Sequence, residues 1–141
     1  MEMTDEEASG LVKQLNWSVA AQALQYAAAC SEGGSWIIPL IEDPAPPLYQ
    51  NLLMAARWLR DAPPQAAWRA TLMRSLVSLI QVESLPLSTR TRLVGAFYLS
   101  RDPSYTKLLK QLLVSRSPVT RRAALIGCGA AGYPQLINDV L

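Results

Sequence analysis

Leu112-Leu113-Val114-Ser115-Arg116-Ser117-Pro118-Val119-Thr120-Arg121-Arg122-Ala123-Ala124-Leu125 contains a helix end, a turn and a helix start. Upstream, Tyr105, Leu108, Leu109, Leu112 and Leu113 fall at i, i+3, i+4, i+7 and i+8, the apolar stripe of an amphipathic helix. Ser117-Pro118 then places a capping hydroxyl before a proline at the first helical position, where the missing N–H costs nothing and φ is already helical. Downstream, Val119, Ala123, Ile126 and Ala130 predict the buried stripe of the next helix.

The same reading extends outward. Leu48, Leu52, Ala55, Ala56 and Leu59 form one stripe, and Trp68, Leu72, Leu76, Leu79 and Ile80 another. Thr4-Asp5-Glu6-Glu7 has the spacing of a capping box, and Asp102-Pro103 repeats the cap-then-proline signal. Asp43-Pro44-Ala45-Pro46-Pro47 and Ala62-Pro63-Pro64 separate helices, because proline removes a helical donor and clashes with the preceding turn. Helices are predicted over 4–15, 18–31, 35–42, 48–61, 64–82, 88–100, 103–114, 118–131 and 134–140. No stretch alternates long enough to predict a strand. A shift of 31 lays Arg90 on Arg121 and Pro103 on Pro134. The unit is thus a helix pair of roughly 30 residues, which buries its apolar face by stacking on neighbours.

Composition narrows the function. The 141 residues include no histidine, two cysteines and ten prolines, and half are hydrophobic. That predicts one globular domain, 1–141. The acidic opening is unlike a secretory signal, and the default location is the cytoplasm. No apolar run is long enough for a bilayer, so no membrane is expected. Cys30 and Cys128 are expected as buried free thiols. Without histidine the commonest general base and zinc ligand are missing, and no cofactor or metal is expected. Gly127-Cys128-Gly129-Ala130-Ala131-Gly132 has the spacing of a dinucleotide fingerprint but closes a helix instead of opening one. Its small residues suit close packing, with Gly132 at the cap.

The stretch from Leu112 to Leu125 resembles the core of a HEAT-like (armadillo-type) helical repeat: leucines ending a first helix, a proline turn, then a basic, alanine-rich second helix. Leu15-Asn16-Trp17-Ser18-Val19 and Ile41-Glu42-Asp43-Pro44 resemble the same turn in earlier repeats. The resemblance implies an all-α, right-handed α-solenoid of about four degenerate helix pairs plus a terminal half repeat. It also implies a bias toward protein binding, and it carries no catalytic residue across.

Charge gives the candidate surface. Residues 1–50 hold seven acids and one base, and residues 51–141 hold twelve bases and four acids. Ten of the thirteen bases are arginine, whose planar fork suits bidentate capture of carboxylate or phosphate. In stacked helix pairs the second helices line the concave face, so Arg57, Arg90, Arg121 and Arg122 are the expected partner-binding stripe. The alternative is that they solvate exposed faces or pair with the acidic half. Trp17 and Trp36 flank turns and are the better candidates for interface anchors, with core or inter-repeat packing as the other reading, whereas Trp58 and Trp68 are expected in the core. The expected function is a non-enzymatic scaffold, adaptor or inhibitor that docks an acidic or mixed protein surface. A nucleic-acid backbone binder is the second reading, and a carboxylate-based pocket activity around Glu42, Asp43 or Glu83 the third. The half repeat ending at Leu136 and Leu141 must be capped or shared, which makes self-association possible.

Overall fold

The computed structural model of this chain describes residues 3–14, 18–30, 34–43 and 45–130. Among them lie eight α-helices and no strand: α1 (Asp5–Val12), α2 (Ser18–Cys30), α3 (Ile38–Glu42), α4 (Gln50–Leu59), α5 (Arg69–Ile80), α6 (Leu87–Leu99), α7 (Tyr105–Leu113) and α8 (Pro118–Ala130). The helix expected at 134–140 and the cap expected at Gly132 lie outside the described residues.

The start signals act as their chemistry requires. Thr4 Oγ1 accepts from the Glu7 N–H at 3.3 Å, and the Glu7 carboxylate accepts from the Thr4 N–H at 2.9 Å, the reciprocal capping box. The bond from the Thr4 backbone N–H, supported by its hydroxyl, holds the Glu7 carboxyl below its ordinary value. Ser117 Oγ accepts from the Thr120 N–H at 3.4 Å, with Pro118 as the first residue of α8. Asp102-Pro103 differs from expectation. Asp102 Oδ1 accepts from the Ser104 N–H at 2.9 Å, a side-chain turn that delays the helix to Tyr105.

The chain divides into two compact units, Met1–Leu72 and Met73–Leu141. In the first, α1 packs on α2, and both α2 and α3 pack on α4. Leu24, Ile37, Leu52, Leu59 and Trp68 are fully enclosed, and Trp36 and Trp58 meet at a tilt of 55° with ring centroids 5.7 Å apart. Gly34 has φ +57°, and a Cβ there would lie 2.5 Å from Trp68 Cδ1. Only glycine satisfies both the left-handed backbone and that approach.

In the second unit, α6 and α7 both pack on α8, around Leu93, Phe97 and Leu109. The α6–α8 contact is close because a Cβ on Gly127 would fall 2.4 Å from Val94 Cγ1. This seats the small face of α8 inward: Thr120, Ala123, Ala124 and Cys128 are buried. The stripe expected from Val119 and Ile126 is therefore corrected. Both point outward, with Val119 41% and Ile126 42% exposed, because the larger aliphatics do not fit where Gly127 meets Val94. The thiols are corrected in one half: Cys128 is buried, whereas Cys30 is exposed, and both are free.

Candidate functional site

A helix leaves its last four carbonyls without intrahelical donors and gathers partial negative charge at that end. Three arginines bond carbonyls at or just past a helix end, at the α4–α5, α5–α6 and α7–α8 connections. Arg69, the first residue of α5, directs Nη2 to the carbonyls of Leu59, Ala62 and Pro63 at 3.5, 3.2 and 3.3 Å. It ties the end of α4 to the loop that follows. Arg90, in the first turn of α6, donates Nε–H to the Ile80 carbonyl that ends α5, at 2.7 Å, and Nη2–H to Thr120 Oγ1 on α8, at 2.6 Å. Arg121, in the first turn of α8, donates Nη1–H to the carbonyls of Ser115 and Arg116 at 2.6 and 3.1 Å, just past the end of α7. Each arginine clasps its own helix to the chain end before it.

These contacts change the expected binding stripe. Arg90 has no exposed surface and is withdrawn from it. The spacing explains this, since Arg90, Leu93, Val94 and Phe97, all buried in α6, stand at i, i+3, i+4 and i+7. Arg121 is half-buried and occupied by the turn carbonyls. Trp36 is likewise withdrawn as an interface anchor, because it is buried against Trp58. Trp58 and Trp68 are in the core as expected. Trp17 lies outside the described residues. Arg57 on α4 and Arg122 on α8 are exposed and belong to different units.

The exposed positive charge is concentrated in the second unit. Arg92, Arg101, Lys107, Lys110, Arg116 and Arg122 are all exposed. The ion pair found among the described residues is Arg60 with Asp61, at 3.1 Å. On α8, Arg122 stands between Val119 and Ile126 at i−3 and i+4 and beside Leu125, and all three aliphatics are exposed. That face combines positive charge with apolar area.

At the corner between α6 and α7 a recess of about 490 Å³ opens, lined by Tyr98, Leu99, Arg101, Pro103, Tyr105 and Thr106. Asp102 also borders it. Arg101 takes φ +53°, the left-handed position after a helix end that glycine usually fills. Sequence reasoning passed over Arg101, although a cation where a helix-ending glycine belongs was a usable signal. It also passed over Arg69. Beneath the corner, Tyr98 and Tyr105 meet edge to face at 5.4 Å. The Tyr105 hydroxyl lies 3.7 Å from Cys128 Sγ. Burial pushes the Cys128 thiol up and the Tyr105 contact partly offsets it, which suits a packed thiol and not a nucleophile.

Among the described residues no group of three or more Cys, Asp or Glu side chains is placed to hold a metal ion. No helix among them is long and apolar enough to cross a membrane. Comparison of the chain with protein-family models, with curated proteins and with solved structures finds no match.

Proposed function

We propose that this chain is a non-enzymatic protein-interaction module, built of HEAT-like helix pairs, that offers the outer face of α8 to an acidic partner protein. The observation that carries the reading is the outward set of Val119, Arg122, Leu125 and Ile126 on α8, whose inward face is made of small residues. Repeated pairs are supported by packing within each unit. Alternate helices touch, α2 with α4 and α6 with α8, as stacked second helices do. The bounds of α6 and α8 are also offset by the 31 residues seen in the sequence.

Protein is favoured over nucleic acid by the aliphatics. A phosphate backbone is neutralised by cations alone, and three exposed aliphatic side chains around one arginine add nothing to that contact. A protein interface uses both, an apolar centre and an arginine that pairs at its edge. Affinity capture with the full chain as bait tests this. We expect a partner protein retained by wild type and depleted on the order of tenfold by Arg122→Glu with Ile126→Glu, at unchanged circular dichroism. Release of the retained material by nuclease, or equal retention by the double variant, rules the reading out.

A further inference from the structure

From the recess between α6 and α7 we infer a binding point for an acidic segment of the partner, which inserts an aliphatic side chain flanked by carboxylates. The inference rests on the interaction reading above and gives the partner its chemistry. Part of the lining is apolar: Leu99, Pro103 and the rings of Tyr98 and Tyr105. Leu99 is 52% exposed and offers apolar area to a group that enters the recess. A volume near 490 Å³ lies within the range of sites that enclose a small group. It takes side chains, not a folded surface.

Positive charge stands at the opening and further along α7. Arg101 is on the lining and exposed. Thr106 is also on the lining, and Lys110 stands four residues on along the same side of α7, with Lys107 between them; both lysines are exposed. The Arg60–Asp61 ion pair involves none of these three cations. The acid at the recess, Asp102, is directed to its own turn through the Ser104 N–H and hydroxyl and is nearly enclosed. Apolar side chains beside Arg101, with Lys107 and Lys110 exposed on α7, complement an aliphatic residue between acids. They do not complement a phosphate chain, which would meet Leu99 and Pro103 without gain.

The test is a titration of the ¹⁵N-labelled full chain with N-acetyl-Glu-Leu-Glu amide, followed by amide shifts. Saturable shifts are expected at Leu99, Arg101 and Thr106. Binding about tenfold weaker is expected for N-acetyl-Glu-Gly-Glu amide and for N-acetyl-Gln-Leu-Gln amide. Arg101→Gly and Leu99→Ser should each weaken the first peptide by about tenfold. Arg101→Gly removes the charge while suiting the left-handed backbone, so its loss of binding is not a loss of fold. Absence of saturable shifts at these amides, equal binding of the glycine peptide, or tighter binding of oligothymidylate overturns the inference. The α8 double variant separates the two readings. If capture depends on α8 but the peptide does not bind, the recess alone fails; if nuclease releases the captured material, the interaction reading fails.

Discussion

A guanidinium with no exposed surface and no carboxylate within ion-pair distance among the described residues is held at a cost, since desolvating a charge takes several kcal/mol (on the order of 5). For Arg90 that cost is offset by the partial negative charge at the end of α5, reached through the Ile80 carbonyl, and by Thr120 Oγ1. The two replacements of Arg90 should therefore differ. Arg90→Met keeps most of the volume but strands the Ile80 carbonyl, and is expected to lose about 1–3 kcal/mol in urea unfolding. Arg90→Ala adds a cavity and should lose about 2 kcal/mol more. Equal losses would mean that the bonds of Arg90, and not the packing around it, do the stabilising. The sequence showed this residue as one more charge. Its place in the i, i+3, i+4, i+7 pattern with Leu93, Val94 and Phe97 carried the information that it is buried, but charge was weighed ahead of spacing.

At the scale of the element, α8 shows how a helix can be recognised correctly and oriented wrongly. Its first residue followed from Ser117-Pro118, because a cap and a proline are local chemistry. Which side faces inward depended on α6, a partner that no window of α8 contains. Gly127 against Val94 chose the small face, so Val119 and Ile126 went to the surface. Gly127→Ala tests that choice. Alanine favours the helix by about 1 kcal/mol, yet its methyl would sit well inside contact distance of a β-branched neighbour with little rotamer freedom. A net loss of about 1–2 kcal/mol in thermal or urea unfolding is expected; a gain would show that α6 and α8 separate easily. The late start of α5 has a comparable cause. Proline signals put it near residue 64, but Arg69 holds three carbonyls of the connection and the helix begins at Arg69. The recess at Arg101 was less legible still, since it depends on where two helix ends and two tyrosine rings meet.

Over the whole molecule, charge follows the two units. Met1–Leu72 carries eight acids and four bases, and Met73–Leu141 nine bases and three acids. Such a distribution steers encounters more than it strengthens complexes. For the captured partner, the association rate should fall on the order of tenfold as salt rises from low to several times physiological strength. The dissociation rate should change much less, and stopped-flow or surface-based kinetics would read both. A dissociation rate that climbs as steeply as association falls would assign the affinity to charge alone. The arginine clasps have one more consequence, and it concerns the order of events as the chain folds. Arg69 reaches back ten residues to Leu59, Arg90 ten to Ile80, and Arg121 six to Ser115. Ties of such short span close with little loop entropy and belong to the topologies that fold fastest. A ribosome-bound chain can make each one soon after its arginine emerges, without waiting for the later helices to emerge.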